Sequence, residues 1–165
     1  MDRFLNASFF SALEFPLDYN FLKQYHITDD NGNYLGDKSK PTHLCMCGIL
    51  VAIMGSEKGH PILYDCLNYY HNTTFTAISS SMSNQSIVCD DIMLSILWKY
   101  GYKLKDETQQ LEHGIVIYDA HVFGGSLAHK NKNNYAIHMC SSTWRNEPNQ
   151  KRKNFIKTCM CYFFS

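Results

Sequence analysis

Three carboxylates and one histidine stand where their types could do chemistry. Glu14 is the odd member of the run Phe9, Phe10, Ala12, Leu13 and Phe15. A carboxylate there is costly to bury unless it is paired or faces a site, so Glu14 is either a strand-end residue or a functional one. Asp90 and Asp91 are adjacent acids where a helix is expected to open. Capping, with their charge set against the positive end of the macrodipole, is the simpler reading, and a catalytic role is the other. His138 lies in the run Tyr135-Ala136-Ile137-His138-Met139, where the plain reading is a hydrogen-bonded strand imidazole. Trp144, on the residues alone, is a packing tryptophan. The pairs Cys45-x-Cys47 and Cys159-x-Cys161 offer thiolates to a structural zinc ion, but with one residue between ligands instead of the usual two to four. Asp29-Asp30 reads as part of a turn with Asn31-Gly32-Asn33, and His60 before Pro61 as a helix-start residue.

The elements that must carry these residues follow from periodicity. Residues 8–15 form a nearly continuous apolar run that ends at Pro16, as a buried strand does. Residues 16–43 read as a surface excursion, a loop or hairpin. Residues 45–54 are a second apolar stretch, closed by Gly55-Ser56-Glu57-Lys58-Gly59. A helix opens at His60-Pro61 and ends near Asn72, with Ile62, Leu63, Cys66, Leu67 and Tyr70 as its apolar stripe and Asp65 and Asn68 on its polar side. A second helix begins near Asp90, carries Met93, Leu94, Leu97 and Trp98 inward, and stops at Gly101. Ile115-Val116-Ile117-Tyr118 and residues 135–139 read as strands, with Gly124-Gly125 and a Lys/Asn-rich turn between them. The order strand, helix, helix, strand, strand predicts a mixed α/β domain with too few parallel units for a complete doubly wound sheet.

The 165 residues are enough for one domain with a core, and 45% apolar content fits a globular chain. Fifteen basic residues balance fifteen acidic ones, so bulk charge gives no footprint for nucleic acid, and the expected partners are small or neutral. Eleven tyrosines and ten phenylalanines serve both core filling and stacking on sugar or base rings. The odd count of seven cysteines, with no cleavable signal before them, leads to reduced cytosolic thiols. No segment approaches the ~20 apolar residues of a membrane span. Beyond residue 148 the chain is basic and aromatic, with Lys151, Arg152, Lys153, Lys157 and Tyr162-Phe163-Phe164. That tail reads as a solvated terminus, with peripheral docking on an anionic membrane face as the alternative.

Five segments occur in a telling order: Ser11-Ala12-Leu13-Glu14, Gly55-Ser56-Glu57-Lys58-Gly59-His60-Pro61, Lys99-Tyr100-Gly101-Tyr102-Lys103-Leu104, Gly114-Ile115-Val116-Ile117-Tyr118, and Tyr135-Ala136-Ile137-His138 with Trp144 six residues on. Up to about Arg145 the chain resembles the bacterial DXD-type sugar transferases of capsular polysaccharide synthesis, similar to glycosyltransferase family 32. The resemblance implies a GT-A, Rossmann-like mixed sheet and transfer of a hexose from a nucleotide-sugar donor to a glycan or lipid-linked glycan acceptor. It implies a divalent cation, Mn²⁺ or Mg²⁺, held by an Asp-x-Asp motif so that charge on the leaving diphosphate is neutralised. It makes His138 a metal or diphosphate contact, Ser142 and Trp144 donor-binding residues after the turn Cys140-Ser141-Ser142-Thr143, Glu14 an acceptor-site carboxylate, and Asp90 and Asp91 acids near the donor sugar. Met139 stands where many relatives carry a second histidine.

In that family the Asp-x-Asp motif lies shortly before the segment corresponding to Leu5-Asn6, whereas this chain opens at Met1-Asp2-Arg3-Phe4. The expectation is therefore residues 1–148 as the C-terminal portion of a GT-A domain lacking its N-terminal nucleotide-binding strands, plus a tail over 149–165. The alternatives are a catalytically incompetent fragment and a zinc-stabilised binding module. A missing central strand would leave an open sheet edge. The expected location is the cytoplasm, with the inner face of the membrane as the variant that docks through the tail.

Overall fold

The apolar run around Phe9 does form a strand, and it is the spine of the molecule. The computed structural model describes residues 4, 6–73, 88–123, 130–132 and 134–137. Among them the order is β1 (Phe9–Ala12), α1 (Tyr19–Gln24), β2 (Gly55–Ser56), α2 (Pro61–His71), α3 (Cys89–Leu97), β3 (Gln109–Gln110), β4 (Ile115–Tyr118) and α4 (Ala120–Phe123). Single 3₁₀ turns cover Trp98–Tyr100 and Glu112–Gly114. The fold is mixed α/β around a four-stranded mixed sheet of order β2-β1-β4-β3. β1 and β4 are parallel, with Phe9 opposite Ile115 and Ala12 opposite Tyr118, while the two-residue strands β2 and β3 flank them antiparallel.

Parallel neighbours need a crossover, and α2 and α3 supply it. Because side chains alternate along a strand, the two central strands send Phe9, Leu13, Ile115 and Ile117 into one core and Ala12 and Tyr118 into another. The first core is closed by Ile92, Met93, Leu94, Ile96 and Leu97 of α3 with Ile62 of α2 and Leu22 of α1. The second is an aromatic cluster in which Phe4 packs on Phe10, Tyr118 and Phe123. Burial on both faces explains why both central strands read as continuous apolar runs instead of alternating ones.

Both helices of the crossover start where the sequence places them. His60 caps α2, its Nδ1 accepting the Ile62 N–H at 3.2 Å and its Nε2–H donating to the His113 carbonyl at 3.1 Å. Gly101 ends the turn after α3 at φ +83°, the left-handed conformation that glycine adopts without a Cβ penalty. Asp29 organises its turn as expected, accepting the Asn31 and Asn33 N–H groups at 2.8 Å each. These bonds and the Asn33 side chain hold its carboxyl below the usual range.

Three expectations need correction, and the apolar stretch 45–54, to which the sequence assigns no element, proves irregular. The excursion over 16–43 contains helix α1, capped by Asp18, which accepts the Phe21 N–H at 3.0 Å; with six residues and one buried anchor, Leu22, it has too short a period to read. The stretch 45–54 makes no strand. It folds back through Met46 at φ +63° and touches β1 through a single bridge between Ile49 and Leu13, so pairing resumes only at Gly55–Ser56. A side chain at Gly55 would enter the Phe10 ring, which is why a glycine serves as strand there. The apolar stripe of α2 is narrower than predicted, since Leu67 and Tyr70 are exposed while Leu63 and Cys66 are half-buried. Residues 135–137 form no strand; the Tyr135 N–H donates to the Val122 carbonyl at 2.8 Å and the chain turns. His138 and Met139 lie outside the described residues.

β1 is paired along both of its sides. On the side away from β4, the carbonyls of Ser8 and Ala12 accept from Glu57 and Leu50, and the Glu14 N–H donates to Gly48. The chain after α1 thus wraps back to cover β1. No helix of the described residues is long and apolar enough to cross a membrane.

Candidate functional site

Glu14 lies two residues beyond the carboxyl end of β1, and Asp119 one residue beyond the carboxyl end of the parallel β4. Ligands of open α/β sheets gather at that end, because the strand-to-helix loops diverge there and leave a crevice. Glu14 is held by its own backbone, whose N–H donates to the Gly48 carbonyl at 3.0 Å. Gly48 is also where Asp90 arrives. A Cβ on Gly48 would stand 3.2 Å from Glu14 Oε2, 3.2 Å from Asp90 Cβ and 4.0 Å from Asp90 Cγ. Two acidic side chains distant in sequence therefore both pack against Gly48, Glu14 with a carboxylate oxygen and Asp90 with its Cβ.

Asp91, the next residue, points elsewhere. Its side chain is 2% exposed, and Oδ2 accepts the Val88 N–H at 3.0 Å, closing the first turn of α3. Both its oxygens face His43, whose Nδ1 lies 3.1 Å from Oδ1 and 3.2 Å from Oδ2. The hydrogen bond to Asp91, with the Asp91 charge behind it, raises the His43 imidazole above its ordinary value against the opposing effect of burial. The pair's stabilisation is accordingly complete below the imidazole's ordinary value of 6.5 and is lost as pH rises through the higher folded value.

Of the predicted site residues, the structure brings Glu14 and Asp90 together and seats Asp91 beside them as a cap and a partner for His43. His138, Ser142 and Trp144 lie outside the described residues. Among the described residues no group of three or more His, Cys, Asp or Glu side chains is arranged to hold a metal ion. Cys47, half of the first thiol pair, is a core residue at 1% exposure; burial pushes its thiol up to about 12, and it donates to the Cys45 carbonyl. Its partner pair, Cys159 and Cys161, is outside the described residues.

Sequence reasoning missed His43, Gly48 and Asp119. Asp119 had a readable signal, being the first polar residue after a β-branched strand. It borders a depression of about 830 Å³ lined also by His121, Asn131, Lys132, Asn134 and Tyr135, within the size range of small-molecule sites. His43 and Gly48 had none, since both lie in the irregular wrap whose path only tertiary packing decides.

The tightness at Gly48 yields a test. Gly48→Ala sets a methyl against Asp90 Cβ, which the first turn of α3 fixes, and against the movable tip of Glu14. The expected cost is about 1–3 kcal/mol of stability in urea denaturation, the ordinary penalty of overpacking. An alanine variant as stable as the parent would show that the two carboxylates do not crowd this glycine.

No family model, no curated protein and no solved structure matches this chain.

Proposed function

We propose that the chain belongs to a glycosyltransferase of the GT-A kind, which moves a hexose from a nucleotide-sugar donor to a glycan acceptor in bacterial cell-surface polysaccharide synthesis. The observation that carries this reading is the convergence of Glu14 and Asp90 over Gly48, at the carboxyl end of the parallel pair β1 and β4. The family resemblance names these acids for different sides of one site, the acceptor and the donor sugar, and they meet across 76 residues of sequence. Chemically, two carboxylates held on either side of one residue can accept hydrogen bonds from hydroxyls of a single ligand, which is how a sugar is oriented before its bond is made. Either could also take the proton of an attacking hydroxyl if it came within hydrogen-bond reach.

The depression beside Asp119 supports the same reading, since its amide, imidazole, ammonium and carboxylate groups suit a ligand rich in hydroxyls. The divalent cation stays part of the proposal: Mn²⁺ or Mg²⁺ would neutralise the leaving diphosphate, and its one candidate ligand here, His138, lies outside the described residues. Among the described residues no group of three or more His, Cys, Asp or Glu side chains is arranged to hold it. The proposal places the chain in the cytoplasm or at the inner face of the membrane, where nucleotide sugars and lipid-linked acceptors meet.

Calorimetric titration with UDP, UDP-glucose, UDP-galactose and GDP-mannose, each with and without Mn²⁺, tests the donor side, and a glycan array tests the acceptor side. The expected result is binding to at least one sugar nucleotide or glycan, weakened tenfold or more by Gly48→Ala. A folded sample that binds neither panel overturns the reading.

A further inference from the structure

Asp90 and its neighbour Asp91 share the first turn of α3. The first turn of α3 is fixed from outside the helix by one side chain among the described contacts of Asp91, that of His43, which reaches across 48 residues of sequence to both carboxylate oxygens. His43 begins a short wrap that turns through the bond from the Cys47 N–H to the Leu44 carbonyl and ends at Gly48, where the Glu14 N–H is received. One end of residues 43–48 therefore holds α3 and the other holds the end of β1. The two carboxylates that converge on Gly48 come from those two elements.

We propose that His43 is a positioning residue of this site: by clamping Asp91 to the start of the 43–48 segment it sets where Asp90 stands relative to Glu14 across Gly48. The proposal rests on the reading of Glu14 and Asp90 as the working pair, and on no assumption about which sugar they hold. Three geometric facts make the clamp effective. Asp91 is buried, so its carboxylate has no water to fall back on if His43 leaves. The same carboxylate closes the helix turn through Val88, so a shift of Asp91 is a shift of the turn that bears Asp90. The segment between His43 and Gly48 is short and internally bonded, so it transmits displacement instead of absorbing it.

The clamp is also titratable. The titratable groups on the elements beside it are Asp91 and Asp90 at the start of α3, Cys45 and Cys47 on its own segment, and Glu14 after β1; of these, Asp91 lies within hydrogen-bond distance of His43. Cys47 stays a neutral thiol through the neutral range, its thiol being pushed up to about 12. Protonated His43 makes a charge-assisted bond to Asp91, and neutral His43 a weaker one. The spacing of the carboxylates is then expected to be tightest on the acid side of the imidazole midpoint and to relax above it.

The experiment is a pH titration of the full chain by NMR, following the His43 imidazole together with the amide resonances of Gly48 and Asp90. The expected result is one shared midpoint for all three above that of an ordinary imidazole, kept in Glu14→Gln, lowered in Asp91→Asn, and lost from the two amides in His43→Gln. Gly48 and Asp90 amides that ignore the His43 midpoint in the parent chain overturn the proposal, as does a His43→Gln variant whose amides still follow the parent curve. A shared midpoint in a chain that binds no sugar nucleotide and no glycan would leave the clamp standing and remove the transferase reading, so the two fail separately. Where a donor is found, His43→Ala is expected to raise the acceptor KM tenfold or more, with His43→Gln restoring part of the loss; an unchanged KM in His43→Ala overturns the proposal.

Discussion

Replacing Phe9 with alanine is expected to remove about 3–5 kcal/mol of folding stability, the usual cost of truncating a fully buried phenylalanine. Phe9 has no solvent exposure. It sits, like Phe10 after it, at a position of β1 paired on both sides, to Ile115 in parallel and to Ser56 in antiparallel register, and its ring lies 5.8 Å from that of His60, the cap of α2. Truncation therefore opens a void between the sheet and the crossover helices, which rigid neighbours can fill only in part. Against the ~5–15 kcal/mol that domains typically have, the loss is a large fraction of the total. In urea the midpoint should fall steeply with an unchanged slope, as expected when the native state is destabilised without changing the surface exposed on unfolding. A loss below about 1 kcal/mol would mean that the ring is not in the core. Because β1 also delivers Glu14, the same variant should weaken any ligand that the site binds.

Why Phe9 and its strand were legible while the site was not follows from the range of the forces involved. The parallel strands announce themselves by composition, since a strand buried on both faces is rich in apolar residues: Ile115 to Tyr118 are so throughout, and Phe9 to Leu13 but for Ser11, whose hydroxyl donates to the Leu50 carbonyl. The starts of α2 and α3 are local as well, being fixed by His60 before Pro61 and by the acids at 90 and 91 through bonds spanning a few residues. The wrap over 43–54 is different. Its apolar residues are needed to cover β1 and the aromatic cluster, but the backbone that carries them turns at Met46 and pairs only in pieces. Its composition therefore resembles a strand that it does not make. His43 and Gly48 inherit that illegibility. The error on α2 has a related cause: Leu67, at 59% exposure, and Tyr70, at 48%, satisfy helical periodicity, but among the described residues the core receives the side bearing Ile62.

The carboxylates themselves provide the second large effect. If Glu14 and Asp90 bind a common sugar, Glu14→Gln and Asp90→Asn each replace a charged acceptor of hydrogen bonds with a neutral amide. A hydrogen bond to a charged group contributes about 1.5–3 kcal/mol, so each variant should weaken binding of that shared sugar, acceptor or donor, by about 10- to 150-fold. The two losses should not add, because both side chains pack against Gly48 and a sugar displaced from one is displaced from the other. The double variant is accordingly expected to be little worse than the poorer single one. The measurement is the acceptor KM and kcat for the four forms of the cycle, with urea midpoints to establish that each variant is folded. A change confined to KM would make the pair an orienting device. A fall of about 10²–10⁴ in kcat for one variant alone would instead identify that carboxylate as the group taking the hydroxyl proton. Strict additivity would mean that Glu14 and Asp90 touch separate ligands, and the convergence at Gly48 would then be packing without a shared substrate.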